Sequence, residues 1–407
     1  MATDMKDRRE LFREYMRRLT AGAAPKAALA EGLYIPPPEK SIAERLVPRL
    51  DLSPTASHLI VGGIGTGKTT ELLWVEKQLS SLPDIRGVYV DVGRHQDLST
   101  ITTGALVIIA GLALDTLLSE LGITAAAKER RQLKRLAHGY SEWFLEDHND
   151  EPDYEPDDEP PNYRVDYPAI LVPPEPPLEN AMKTHVDLLR ELVDVTRSLI
   201  PHVVLMLDSL DRIAHFSAFE EIVIQDVRAI RDTGIGTVLV GPLAILFGAH
   251  RPVADRFDYL YQVSSVDVAG YGGVEFLTRV LHARIPPSVL SEQSAGMVAH
   301  YSGGILRDLL AIARTAAEEA YIQGDAAIEI SHVLAAVDTF GRDLMLGLSQ
   351  SDIETLQRVR SNGTFIQTSD DDIALLATRR VIAYGVTERR YVVHPSIDSL
   401  LMQLSAK

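Results

Sequence analysis

The chain has 407 residues, of which 46% are hydrophobic and 24% charged, a composition typical of a globular protein with two or three domains. Its formal net charge of −17 argues against a broad basic surface for nucleic acid. The absence of cysteine excludes disulfides, thiolate zinc sites and cysteine nucleophiles, and favours a cytoplasmic protein. The N-terminus lacks the apolar core of a secretory signal, and the most apolar stretch, residues 104–114, is too short to span a membrane.

The first segment, residues 1–40, is predicted to hold one amphipathic helix and a linker. Its apolar side chains recur at helical spacing and leave Arg and Lys on the other face: Leu11, Phe12, Tyr15, Met16 and Leu19. We expect this helix to pack onto the main domain. The three prolines at 36–38 end the segment.

Residues 41–268 alternate between apolar strand patterns and helical patterns. The predicted strands are 57–61, 87–92, 202–207, 237–241 and 259–263, and helical patterns cover 69–79, 101–136, 180–199 and 216–232. Continuous apolar strands alternating with helices are typical of a parallel sheet covered on both faces. Together with the glycine-rich stretch GGIGTGKT between the first strand and the next helix, this pattern predicts an α/β fold, a doubly wound P-loop NTPase domain.

An acidic, proline-rich insertion interrupts this domain at about residues 142–178. Between residues 142 and 159 the chain carries ten Asp and Glu and no Lys or Arg, and nine prolines lie between 152 and 177. Such a composition predicts an extended loop outside the core. It is either a solvated insertion or a surface that binds a partner or mimics DNA.

Two further segments follow the α/β domain. Residues 269–346 show only helical patterns, at 274–285, 288–300, 305–322 and 331–345, and are predicted to form a helical lid. Residues 347–407 give helices at 351–360 and 372–378, then strands at 381–384 and 391–393 joined by a turn. Two helices followed by a hairpin predict a winged-helix domain.

The strongest motif is a glycine loop between the first predicted strand and the next helix. It matches G-x-x-x-x-G-K-[ST], whose backbone N–H groups surround phosphate oxygens at a helix N-terminus. Lys68 is expected to bridge the β- and γ-phosphates, and the Thr69 hydroxyl to bind Mg²⁺. The candidate ATP-binding residues are Gly62, Gly63, Ile64, Gly65, Thr66, Gly67, Lys68, Thr69 and Thr70.

The second half of a phosphate site is a carboxylate at the end of a buried strand. Asp208 directly follows the apolar run 203–207 and is predicted to bind Mg²⁺ together with Thr69. Asp211, three residues later, is placed to accept a proton from the attacking water. A different role for Asp211 would be to cap the next helix.

These residues resemble the AAA+ and STAND branch of P-loop ATPases. The resemblance depends on GGIGTGKT, VVLMLDSLDR and SGGILRDLL, and on the order of P-loop domain, lid and winged helix; it covers residues from about 40 to 404. AAA+ enzymes usually carry Glu where this chain has Ser209, and the D-x-x-D-R ending is more like STAND and KAP ATPases. The resemblance implies ATP and Mg²⁺ as ligands, with hydrolysis that is slow or dependent on Asp211.

The same resemblance implies roles for two arginines. Arg307, in a G-x-x-R pattern at a helix start, matches the sensor arginine that reaches the γ-phosphate from the lid; it could instead form a surface ion pair. Arg256 precedes the last strand, where AAA+ subunits extend an arginine finger into a neighbour, although Arg251 competes for that role and Arg256 could be a solvated loop residue. A polar sensor residue is expected after the strand at 237–240, where this chain has Gly241 and Pro242.

The sequence predicts a nucleotide-dependent conformational or assembly switch, an ATP-binding and hydrolysing regulatory ATPase that would suit a multiprotein defence or DNA-handling system. Homo-oligomers or a protein partner are expected, and no membrane. A second hypothesis is a DNA-binding initiator-like or loader-like ATPase that uses its winged helix. Residues 347–407 hold seven basic and seven acidic residues, however, so their charge does not support DNA binding. A third hypothesis is a winged helix that holds the ATPase in an off state, and a fourth is an ATP-binding module with little hydrolysis.

Overall fold

The computed structural model describes residues 2–20, 25–37, 41–95, 97–137, 181–213, 215–367, 370–386 and 388–405. These residues form two compact units. One contains Met1–Arg45, Val61–Trp74 and Gln262–Lys407, and the other contains Leu46–Ile60 and Val75–Tyr261. The acidic insertion predicted at 142–178 lies outside the described residues.

A five-stranded sheet forms the centre of the α/β part. Its strands are β1 (Ser57–Gly62), β2 (Ile85–Asp91), β3 (His202–Asp208), β4 (Gly236–Gly241) and β5 (Tyr259–Val263), in the order β2-β3-β4-β1-β5. β2 pairs with β3, and β3 with β4, in parallel. β1 and β4 are buried along their whole length, as expected for strands with both faces covered. The predicted α/β class is confirmed, and β2 begins at Ile85, two residues earlier than its pattern indicated.

Helices precede the sheet and connect its strands. They are α1 (Ala2–Leu19), α2 (Pro25–Ala30), α3 (Ile42–Leu52), α4 (Lys68–Leu79), α5 (Ala105–Glu120), α6 (Ala127–Ala137), α7 (Ala181–Arg197), α8 (Phe216–Ile222), α9 (Arg228–Asp232) and α10 (Arg251–Ala254). The helical patterns at 101–136 form two helices, α5 and α6, and Gly122 after α5 has a left-handed φ of +69° that ends the first of them. The apolar stretch 104–114 forms most of α5 and is buried, as predicted.

The helix predicted at 216–232 contains a local change of winding. A π-helical turn, Val223–Val227, separates α8 from α9. Within this turn Asp226 is fully buried and accepts hydrogen bonds from the backbone N–H groups of Gly104 (2.8 Å) and Leu106 (2.9 Å) at the start of α5. Helix periodicity carries no signal for this turn, whose buried carboxylate bonds to residues more than a hundred positions away.

Four helices follow the sheet, close to their predicted positions. They are α11 (Gly273–His282), α12 (Glu292–Tyr301), α13 (Leu306–Gln323) and α14 (Ile330–Met345). The apolar side chains of α1, including Phe12, Tyr15 and Leu19, belong to the core of this helical segment. The Arg8 guanidinium also donates to the carbonyl oxygens of Tyr321 and Asp325, each at 2.9 Å, and so satisfies the C-terminal end of α13. The N-terminal helix therefore packs on the helical segment.

The last part of the chain forms the predicted winged helix. It consists of α15 (Gln350–Asn362), α16 (Asp370–Ala377), β6 (Val381–Tyr384), β7 (Arg390–Val393) and α17 (Pro395–Ser405). β6 and β7 pair antiparallel. α17 was not predicted, although its apolar residues Ile397 and Leu401 are fully buried. Among the described residues, no helix is both long and apolar enough to cross a membrane.

Candidate nucleotide-binding site

The glycine loop joins β1 to α4. Gly65 and Gly67 have left-handed φ values of +84° and +98°, which only glycine adopts at little cost. The Thr66 hydroxyl donates to the carbonyl oxygen of Gly63 at 2.9 Å and closes the turn. Because α4 begins at Lys68, the loop lies at a helix N-terminus, where backbone N–H groups favour an anion.

Lys68 is the buried cation of this loop. The residue is 6% exposed, and its Nζ donates to the carbonyl oxygens of Gly62 (2.9 Å) and Gly63 (2.7 Å). An ammonium group held by loop carbonyls next to a helix N-terminus has the chemistry that a phosphate group requires. Thr69 and Thr70 are half-buried in the first turn of α4. The residues of this loop therefore fit a nucleotide phosphate.

The start of α13 packs directly against the glycine loop. The backbone N–H of Arg307 donates to the carbonyl oxygen of Gly65 at 3.3 Å. A Cβ atom at Gly65 would lie 2.6 Å from the Arg307 Cβ and 3.0 Å from the Ile305 Cγ2. This contact is possible only with glycine at position 65. The structure thus brings Arg307, the predicted sensor, to the loop.

A group of polar residues ends the two neighbouring strands β2 and β3. Asp208 is 4% exposed and lies in register with Asp91 of β2. Asp208 Oδ1 accepts the backbone N–H of Ser209 at 2.7 Å, and its Oδ2 accepts the Tyr89 hydroxyl at 2.9 Å. Burial and the Asp208 carboxylate together raise the pKa of Tyr89. Asp208 is therefore a buried carboxylate with positioned oxygens, a ligand type suited to Mg²⁺.

Ser209 and Asp211 continue the chain beyond β3. Ser209 is buried, has a left-handed φ of +74°, and its hydroxyl donates to Asp91 Oδ1 at 2.6 Å. Asp211 is half-buried in the single turn of helix Leu210–Arg212. Sequence reasoning missed Tyr89 and Asp91. The available signal was the position of Asp91 at the carboxyl end of a predicted strand.

The candidate finger residues lie before β5. Arg256 is exposed, and its backbone carbonyl accepts a hydrogen bond from Arg231 Nη1 at 3.3 Å. Arg251, its competitor, is exposed at the start of α10. The glycine loop with Arg307 and the carboxylates with Ser209 belong to different compact units. Their action on one shared nucleotide stays a prediction, as do the individual site roles.

Comparisons with known proteins add a resemblance in fold. No protein-family model matches the chain, and no curated protein matches it. The Aeropyrum pernix ORC2 protein, solved in ADPNP-ADP complexes, is 14% identical with a TM-score of 0.44, over 92% of this chain and 97% of that chain. The A. pernix ORC1 protein in complex with DNA is 15% identical with a TM-score of 0.43, over 95% of this chain and 96% of that chain.

The Thermotoga maritima RuvB Holliday junction branch migration motor is 14% identical with a TM-score of 0.38, over 90% of this chain and 97% of that chain. At such identities and scores, the evidence for function lies in the residues of the site. Membership of the AAA+ or STAND branch stays a prediction. What was predicted and is confirmed is the arrangement of an α/β P-loop domain, a helical segment and a C-terminal winged helix.

Proposed function

We propose that this protein is an ATP-binding and hydrolysing regulatory ATPase that acts as a nucleotide-dependent conformational switch. The observation that supports it most is the contact between the start of α13 and the glycine loop, in which Arg307 donates to Gly65. A loop that changes its contacts when it binds phosphate alters this junction directly. Differential binding to two arrangements is what a ligand needs to shift a conformational equilibrium.

The residue roles follow from their chemistry. The loop from Gly62 to Thr70 holds the phosphates, with Lys68 opposite the β- and γ-phosphates. Thr69 and Asp208 would hold Mg²⁺, which would neutralise phosphate charge. Asp211 accepts the proton of the attacking water, and Arg307 reaches the γ-phosphate from the helical segment.

The residues around Arg307 also contact the winged helix. The Tyr384 hydroxyl of β6 donates to the carbonyl oxygen of Gly303 at 2.9 Å. The neighbour of Arg307, Asp308, forms an ion pair with Arg379 and lies 3.4 Å from His394 Nε2. One short segment, residues 303–308, therefore contacts the glycine loop and the winged helix. This double contact supports a switch that moves the winged helix.

The proposal is tested by nucleotide titration of the whole chain. Wild type should bind a fluorescent ATP analogue and release phosphate from ATP with Mg²⁺, whereas Lys68→Ala should lose at least about tenfold in affinity, about 1.4 kcal/mol. Equal affinity of Lys68→Ala and wild type would refute the nucleotide site. Binding with phosphate release no faster than in Asp208→Ala would support the ATP-binding module with little hydrolysis.

Assembly is part of the proposal, since Arg256 is exposed before β5. As an arginine finger it would complete the site of a second copy, so the active form would be an oligomer. The molar mass with and without an ATP analogue tests this: a rise that Arg256→Ala prevents supports the finger. A mass that is the same in all samples refutes it.

A second candidate function is duplex DNA binding by the winged helix, as in an initiator-like or loader-like ATPase. It is favoured by Arg389 and Arg390, which are exposed at the start of β7 where a wing would meet a phosphate backbone. Their guanidinium groups donate to Gln262 Oε1 and Asp267 Oδ1, each at 2.6 Å. A salt-dependent shift of duplex DNA by the full chain supports this function, and no shift at low salt counts against it.

A further inference from the structure

The chain turns sharply after β3, at a residue that is unsuited to the turn. Ser209 has a φ of +74°, a left-handed conformation that is unfavourable for every residue with a Cβ atom. The residue is 3% exposed, so its hydroxyl depends mainly on a protein partner. Residues held in such conformations persist only where their surroundings impose them, and they are concentrated at functional sites.

Two carboxylates form hydrogen bonds with Ser209. Its backbone N–H donates to Asp208 Oδ1 at 2.7 Å, and its hydroxyl donates to Asp91 Oδ1 at 2.6 Å. Asp91 and Asp208 are partners in the register of β2 and β3, so Asp91 reaches Ser209 from the neighbouring strand. The second oxygen of Asp91 lies 3.4 Å from Arg94 Nε, and Arg94 is 75% exposed. Of these two contacts of Asp91, the one with Ser209 is therefore the more buried.

We propose that Asp91 is a positioning residue, which holds Ser209 in the left-handed conformation and thereby sets the turn between Asp208 and Asp211. This inference depends on the proposed function, because it assigns those two carboxylates to metal binding and water activation. Without the bond from Asp91, Ser209 relaxes toward an ordinary φ. The single helical turn Leu210–Arg212 then moves relative to β3, and Asp211 loses its position while the glycine loop keeps its own.

The test compares Asp91→Ala with a variant that removes the need for Asp91. Asp91→Ala should lower kcat about tenfold, about 1.4 kcal/mol, with the Kd of an ATP analogue changed less than about twofold. Adding Ser209→Gly should restore most of kcat, because glycine adopts a φ of +74° without support. Asp91→Asn, which keeps an acceptor oxygen, should stay near wild type.

Asp97 provides a matched control from the same loop region. It is an exposed aspartate whose Oδ1 accepts the backbone N–H and the hydroxyl of Ser99, at 2.9 and 2.8 Å. Asp97→Ala removes a similar aspartate–serine pair away from the strand ends and should leave kcat unchanged. A tenfold loss there would refute the specific role of Asp91.

Three further results would overturn the proposal. If Asp91→Ala equals wild type, Asp91 positions nothing; if the double variant is as slow as Asp91→Ala, Asp91 acts directly on metal, water or nucleotide. If wild type binds nucleotide without hydrolysing it, the proposed hydrolysis is refuted but the role of Asp91 is not. The thermal midpoint of unfolding then tests that role. Asp91→Ala should lower the midpoint, and adding Ser209→Gly should restore it; no restoration would overturn the positioning role.

Discussion

Asp308 provides the sharpest test of how the winged helix is held. Its side chain is fully buried at the start of α13, and it forms an ion pair with Arg379, whose side chain is 22% exposed. His394, also fully buried, lies with Nε2 3.4 Å from Asp308 Oδ2. Removing one partner of a buried ion pair typically costs about 3–5 kcal/mol, because the remaining charge is left uncompensated.

The perturbation is Asp308→Ala, and amide hydrogen exchange of strands β6 and β7 is the assay. Exchange measures the free energy of local opening, so it reports on the winged helix without requiring the whole chain to unfold in one step. Because Arg379 can recover some hydration, we expect the lower end of the range, a fall of about 3 kcal/mol in the opening free energy. Asp308→Ala combined with Arg379→Met should cost less than the sum of the single changes, by about 2 kcal/mol.

The exposed ion pair between Arg360 and Asp398 is the matched control. It has a distance of 2.7 Å within the same winged helix, with both side chains 38% exposed. Asp398→Ala should lower the opening free energy by less than about 1 kcal/mol, since water screens and replaces such a pair. Equal effects of Asp308→Ala and Asp398→Ala, or strict additivity in the double variant, would refute the reasoning.

The remaining predictions concern the loop, the pH dependence and the wing. Gly65→Ala should weaken ATP-analogue binding and lower the thermal midpoint more than Gly63→Ala does. A Cβ atom at position 65 would lie 2.6 Å from the Arg307 Cβ, whereas one at position 63 would lie 3.5 Å from its nearest atom. A larger effect of Gly63→Ala would contradict this packing. Burial raises the pKa of Asp226 to about 7, so its contribution to stability is present at low pH and lost as pH rises through about 7. The free energy of unfolding should fall by about 2–3 kcal/mol more between pH 5 and 8 in wild type than in Asp226→Asn, and equal slopes would exclude this cause. If the full chain binds DNA, replacing Arg389 and Arg390 by Ala should reduce the slope of log affinity against log salt by about two, and an unchanged slope would place the contact elsewhere.

The sequence alone determined the architecture and the glycine loop. Apolar runs in β1, β3 and β4, alternating with helical periods, are local signals that survive folding because both faces of those strands are buried. The shape of the loop at Gly62–Thr69 is also a local property, because its glycines permit the left-handed turns and the helix follows directly. The four helices of the lid and the hairpin of the winged helix were predictable because their apolar patterns are also local signals.

The tertiary structure decided which side chains meet. The bond between Ser209 and Asp91 joins residues more than a hundred positions apart, and no spacing rule connects them. The same holds for the hydrogen bond from Gly104, at the start of α5, to Asp226 and for the ion pair between Asp308 and Arg379. Periodicity reports which face of an element is buried, whereas the partner of a buried polar group depends on how distant elements pack. The turn at Ser209 and the attachment of the winged helix are therefore properties of the folded chain.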